Sequence, residues 1–163
     1  MSTLSQTDYV SISDRVAELG CRMPTGFAIV PENFGTAVTR QELVVRGESS
    51  TIRTLFRNNQ LPLDDFLPDG ERPGFIHNKS HDWAAFIFVS GALLSSDPSA
   101  VSIALGIVSN YLTEMFRGTP DKKIKLEIAV ERRGSRVSKK LTYEGNAAGL
   151  AEIADTIFRI ADE

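Results

Sequence analysis

The sequence predicts a single α+β domain over residues 1–163, with a central buried helical hairpin and a C-terminal ββα unit at 121–163. Three observations support this prediction: a nearly uncharged stretch at 83–116, alternating apolar and polar residues at 123–131, and an amphipathic pattern near the end of the chain. With 163 residues, of which 42% are hydrophobic and 24% charged, the chain is long and apolar enough to bury one core.

The first predicted element is a helix at 8–19, because apolar side chains recur there at helical spacing. Thr7 is its expected N-cap, and Gly20 is expected to end it. Farther along, the pattern predicts a short strand at 27–30. Residues 42–46 fit either a short strand or the end of a short helix.

A second helix is predicted at 49–58, where Ser49 and Ser50 can cap its start. The segment that follows, 60–74, contains three prolines, two glycines and four acidic side chains. This composition is typical of a turn-rich surface loop, which we expect to contact a protein partner. The residues predicted to bind that partner are Asp64, Asp65, Asp69, Glu71 and Trp83.

The nearly uncharged stretch consists of two apolar runs of twelve residues, 83–94 and 101–112, and we interpret both as helices. Asp97 followed by Pro98 is a strong signal for the start of the second helix. Each run is shorter than the roughly 20 apolar residues that a membrane-spanning helix needs. The pair is therefore predicted to form a core or a protein interface, and a membrane role is disfavoured.

The C-terminal unit begins with strict alternation of apolar and polar residues at 123–131, which predicts a half-buried strand. A second strand is expected at 137–143 after a turn, and an amphipathic helix at 147–161. Because such a unit is too small to be stable alone, we expect it to pack on the helical hairpin.

A basic patch coincides with the turn of this unit. Residues 121–143 hold eight basic and three acidic side chains, a local charge of +5 on a chain whose net charge is −3. The patch predicts a contact with an anion or, as an alternative function, with nucleic acid. Its residues are Arg132, Arg133, Arg136, Lys139 and Lys140. The pI of about 5.5 and the lack of interleaved aromatic residues disfavour a dedicated nucleic-acid binder.

Both histidines of the chain, His77 and His81, lie four residues apart. If Cys21 or the acidic segment 60–74 supplied a third ligand in space, they would form the metal site of a hydrolase, which is a further alternative function. A solvated polar loop before Trp83 explains the same residues more simply. We expect no cofactor.

No secretion signal is predicted at the start of the chain, and the single Cys21 is typical of a reducing compartment, so we expect a cytoplasmic protein. No complete catalytic or phosphate-binding motif is present. The sequence therefore favours a non-catalytic accessory or regulatory protein. It would act by binding a protein partner or by forming a homo-oligomer.

Overall fold

The computed structural model describes residues 2–76, 83–119, 123–132, 134 and 137–162. Its strands are β1 (Thr3–Tyr9), β2 (Phe27–Ile29), β3 (Val44–Arg46), β4 (Leu63–Asp64), β5 (Gly74–Ile76), β6 (Trp83–Val89), β7 (Ile124–Glu131) and β8 (Ser138–Gly145). Its α-helices are α1 (Ile12–Leu19), α2 (Ser49–Asn58), α3 (Gly91–Ser96), α4 (Ser99–Met115) and α5 (Ala154–Asp162), and 3-10 segments occupy Arg40–Glu42 and Ala147–Ile153. The α+β class is confirmed.

The main sheet has six strands in the order β1-β8-β7-β6-β2-β4. β6 and β7 are parallel to each other, as are β2 and β4, and the remaining neighbours are antiparallel. The helices α3 and α4 connect β6 to β7, which is the long crossover that a parallel pair requires. β3 and β5 form a separate, parallel two-stranded sheet.

The prediction of a helix over residues 83–94 was wrong. Residues 83–89 form β6, all seven side chains of which are buried, and only residues 91–96 are helical. A strand that is covered on both faces has no polar face, so apolar and polar residues do not alternate along it. Its continuous apolar sequence then resembles that of a buried helix. The second arm is a helix as predicted, α4.

Two apolar clusters lie on opposite faces of the main sheet. From β6, Trp83 and Ile87 belong to the cluster that α2, α4 and α5 cover, while Phe86 and Phe88 belong to the cluster that α1 covers. Alternate residues of a strand point to opposite faces, so this one strand contributes to both clusters. The central strand therefore ties the two helical layers together.

The C-terminal ββα unit is confirmed. β7 and β8 pair antiparallel along their whole lengths, and the helical pattern that follows divides into a 3-10 segment and α5. This 3-10 segment packs on α4, as expected for a unit that needs outside support.

The predicted first helix needs correction at its start. Residues 3–9 form β1, and α1 begins only at Ile12, with Ser11 rather than Thr7 as its N-cap. β1 is polar and exposed, so its strand conformation comes from pairing with β8, a partner more than 120 residues away. Gly20 ends α1 in the left-handed conformation, as predicted.

The ambiguous segment 42–46 is also resolved, because it contains the strand β3 after a 3-10 turn. The strand at 27–30 and the helix at 49–58 appear as β2 and α2. Of the helices within the described residues, none has the length and apolar character that crossing a membrane would require.

Candidate functional site

The carboxylates of the acidic segment 60–74 form hydrogen bonds and ion pairs with other parts of the chain. Asp64 accepts hydrogen bonds from the backbone N–H groups of Thr25 at 2.9 Å and Gly26 at 3.2 Å. Asp65 forms an ion pair of 2.8 Å with Arg53 of α2. Two of the four predicted partner-binding carboxylates thus have structural contacts within the chain.

The other two carboxylates are paired as well. Asp69 lies 2.7 Å from Arg22, and Glu71 lies 2.8 Å from Arg40. Arg40 also donates to the carbonyl oxygen of Leu19 at the end of α1, at 3.3 Å. The hydrogen bond with Glu71 is the main reason that the pKa of Arg40 is raised. These pairs hold the segment as one wall of a groove.

This groove lies between α2, β3, β5 and residues 65–73 and has a volume of about 370 Å³. Apolar side chains form much of its surface, and the main ones are Ile29, Val45, Phe66, Leu67, Pro73 and Phe75. The polar side chains in its lining are Ser49, Ser50, Arg53, Asp65, Asp69, Glu71 and Arg72. We call it the 49–75 groove. Sequence reasoning identified its acidic residues but missed Ser49 and Arg72, which come to line the same groove only through folding.

Trp83 is not part of this groove. It is 5% exposed and packs in the apolar cluster beneath α4 and α5. The structure therefore brings Asp65, Asp69 and Glu71 into the lining of one groove, leaves Asp64 outside that lining, and places the predicted aromatic residue in the core.

The two lysines of the basic patch form ion pairs within the chain. Lys139 forms an ion pair with Asp8 on β1, and Lys140 lies 2.7 Å from Glu127. The ammonium group of Lys140 also lies 5.5 Å from the ring centre of Phe86. Arg132 is described beside β7, whereas Arg133 and Arg136 fall outside the described residues. The contact with nucleic acid stays a prediction, and two of the five basic side chains proposed for it already form ion pairs within the chain.

The ring centre of Tyr9 lies 5.9 Å from the ammonium group of Lys140. Burial, followed by the negative charges of Glu127 and Glu32, raises the pKa of the Tyr9 hydroxyl far above its ordinary value. The phenol therefore stays protonated at neutral pH. Tyr9 packs against the apolar cluster that α1 covers.

The metal hypothesis concerns residues outside the described part of the chain, because His77 and His81 are both there. Within the described part, no three His, Cys, Asp or Glu side chains are grouped so that they could hold a metal ion. Cys21 is half-buried, and burial raises the pKa of its thiol above the ordinary value, which disfavours the reactive thiolate.

The outer face of α4 is a second surface of interest. No charged residue occurs from Ser99 to Thr113, yet one side of this helix is open to solvent. Ile103 is 54% exposed, and Gly106 and Ile107 beside it are only partly buried. We define the α4 outer face as Ser102, Ile103, Gly106, Ile107 and Asn110. The sequence signal is the long absence of charge, which a solvent-facing helix normally does not show.

No family model, curated protein or solved structure matches this chain. No relative therefore contributes to the assignment of function. Within the residues that the structure describes, the 49–75 groove is a cavity with a largely apolar lining, and the α4 outer face is an exposed surface without charge.

Proposed function

We propose that this protein is a non-catalytic accessory or regulatory protein that acts by protein–protein association through the α4 outer face. The supporting observation is that this face is exposed but has no charged side chain over four helical turns. Surface helices of monomeric proteins usually carry charged side chains on the side away from the core. The inner side of α4 packs in the core, and its outer side, which also consists of apolar and small uncharged residues, is suited to packing against another protein surface.

The partner that fits this face best is a second copy of the chain. Two α4 outer faces can meet without removing any charge from water, which would otherwise cost several kcal/mol per ion in a buried contact. Gly106 has open space where a Cβ would stand, so a second helix can approach closely at this point. Ile103 and Ile107 lie on either side of it and would be covered in the contact.

An antiparallel arrangement of the two helices also suits the charges at the helix ends. Glu114 and Arg117 form an ion pair in the last turn of α4 and just beyond it. In a two-fold pair centred at Gly106, they lie beyond the apolar contact, at its rim, where they stay hydrated. The helix dipoles then oppose each other, which favours the antiparallel pair.

Sedimentation velocity over a concentration series tests this proposal. We expect the unmodified chain to form dimers and Ile103→Lys to raise the dimer dissociation constant at least about tenfold, because it places an ammonium group at the centre of the contact. The matched control is Val38→Lys, since Val38 is 81% exposed and lies on the loop that follows β2.

Circular dichroism of both variants checks that the fold is intact. The proposal fails if the unmodified chain sediments as a monomer at every concentration. It also fails if the Ile103 and Val38 variants weaken association equally.

A further inference from the structure

The α4 outer face has two polar side chains at equal distances from its central glycine. Ser102 lies four residues before Gly106 and Asn110 lies four residues after it, and both are exposed. With a rise of about 1.5 Å per residue, each lies about 6 Å along the helix axis from Gly106. The two positions are therefore symmetric about the glycine, with a hydroxyl group at one and a carboxamide at the other.

Both polar side chains are open to a partner. No hydrogen bond of either one is found among the residues that the structure describes. Serine and threonine side chains within a helix often donate to the carbonyl oxygen one turn earlier. Thr113 does so, at 2.8 Å from the carbonyl oxygen of Ser109, whereas Ser102 forms no such bond within the described part of the chain.

A two-fold antiparallel pair of α4 helices brings these two groups together. When two copies cross at Gly106, a contact residue before the glycine in one copy faces the residue equally far after it in the other copy. Ser102 of each copy then lies opposite Asn110 of the other. A hydroxyl group and a carboxamide each contain a donor and an acceptor, so they can form a hydrogen bond in either direction.

The apolar residues of the face favour the same arrangement. At 3.6 residues per turn, Ile103 and Ile107 lie about 60° and about 100° around the helix from Gly106, in the same direction. In the antiparallel pair, the isoleucines of both copies lie on one side of the crossing and can pack together as one cluster. A parallel pair would separate them onto opposite sides and would place Asn110 opposite its own copy.

We propose that Ser102 and Asn110 set the direction and register of α4 pairing, through a hydrogen bond from each copy's Asn110 to the other copy's Ser102. This inference rests on the proposed self-association of α4 and names the residues that face each other in it. A slip of one helical turn would place Asn110 opposite Gly106 or Pro98, neither of which has a polar side chain. The cost of an unpaired amide in the contact would then oppose the slip, as polar residues do in coiled coils.

Cysteine cross-linking tests which residues face each other. Ser102→Cys and Asn110→Cys are made separately in a chain that also carries Cys21→Ser, so that each protein has one thiol. After mixing and oxidation, we expect disulfide-linked dimers that contain one chain of each variant. Each variant alone should give at least about tenfold less cross-linked dimer, because identical positions lie about 12 Å apart along the axis and a disulfide needs Cα atoms within about 7 Å. Thr54→Cys, at an exposed position on α2, is the matched control.

Alanine variants test the hydrogen bond itself by sedimentation velocity. We expect Ser102→Ala and Asn110→Ala each to raise the dimer dissociation constant about tenfold, because either change removes both symmetry-related bonds. The double variant should raise it little further, because the two changes remove the same contact. Thr54→Ala should leave the dissociation constant unchanged.

The cross-linked products and the sedimentation of the same samples separate the possible failures. Cross-links mainly between identical positions, or none in samples that sediment as dimers, would overturn this inference and leave the self-association standing. Alanine effects that multiply in the double variant would also contradict the pairing. Monomers at every concentration of the unmodified chain would overturn both proposals.

Discussion

Gly91 occupies a junction where only a glycine fits. It is the first residue of α3, directly after the end of β6, and its N–H donates to Glu131 at 2.9 Å. A Cβ at this position would lie 2.8 Å from the carbonyl oxygen of Arg132, which is part of the backbone. Burial raises the pKa of Glu131, and the hydrogen bond from Gly91 opposes that shift. The glycine thus lets the carboxylate cap this strand-to-helix turn.

Gly91→Ala is expected to lower the free energy of unfolding by about 1–3 kcal/mol, because the backbone must shift to relieve the contact. Gly106→Ala provides the opposite case on α4, where a Cβ meets nothing within 4 Å. It should raise the free energy of unfolding by up to about 1 kcal/mol through better helix propensity. Urea denaturation of dilute protein measures both changes, and equal signs would contradict this account.

At the scale of elements, α4 and the C-terminal unit are joined by a buried hydrogen bond. The Ser109 hydroxyl, on the inner side of α4, donates to the carbonyl oxygen of Ala147 at 2.7 Å. Ala147 begins the 3-10 segment that follows β8. Ser109 looks like a polar interruption of an apolar helix in the sequence, but in the structure it connects two elements.

Ser109→Ala should therefore destabilise the protein by about 1–3 kcal/mol, since the carbonyl oxygen of Ala147 would stay buried without its donor. Thr113→Ala is the control, because the Thr113 hydroxyl donates to a backbone oxygen one turn earlier within α4, on the exposed side. We expect the control to change stability by less than about 0.5 kcal/mol. Thermal and urea denaturation give both values, and a Ser109 effect no larger than that of Thr113 would refute the structural role.

The difference between α4 and β6 shows how far element type follows from local sequence. α4 has a start signal, sufficient length and helical spacing of its buried residues, so it was predicted as a helix. β6 has seven apolar residues without any period, and pairing with β2 and β7 makes it a strand. The strand conformation of β6 depends on partner residues that lie more than 40 positions away in the sequence and become its neighbours only in the folded chain, so no local pattern encodes it.

At the scale of the whole molecule, Arg40 connects three parts of the chain. It pairs with Glu71 in the groove wall and donates to the carbonyl oxygens of Leu19 and Gly20 at the end of α1. The helix layer on one side of the sheet is thereby linked to the wall of the 49–75 groove. Removal of this side chain should loosen the wall and leave the sheet intact.

We therefore expect Arg40→Ala to increase hydrogen exchange several-fold at the backbone amides of Glu71 and Gly74, which donate within and beside the wall. Exchange in β6 and β7 should stay unchanged. Arg57→Ala serves as the control, because Arg57 is exposed on α2 and does not line the groove. Mass spectrometry of peptides from residues 71–74 and from β6 and β7 measures the exchange. Unchanged exchange at 71–74 would mean that the other ion pairs suffice to hold the wall.

The sequence by itself determined the α+β class, the helices α2 and α4 and the C-terminal ββα unit, because local periodicity and capping residues specify these elements. Only the tertiary structure decided that β6 is a strand, that β1 pairs with β8, and that the acidic residues are paired within the chain. It also decided which side of α4 is open and which residues enclose the groove. Those features arise from contacts between residues far apart in sequence, and such contacts exist only once the sheet has brought its strands together.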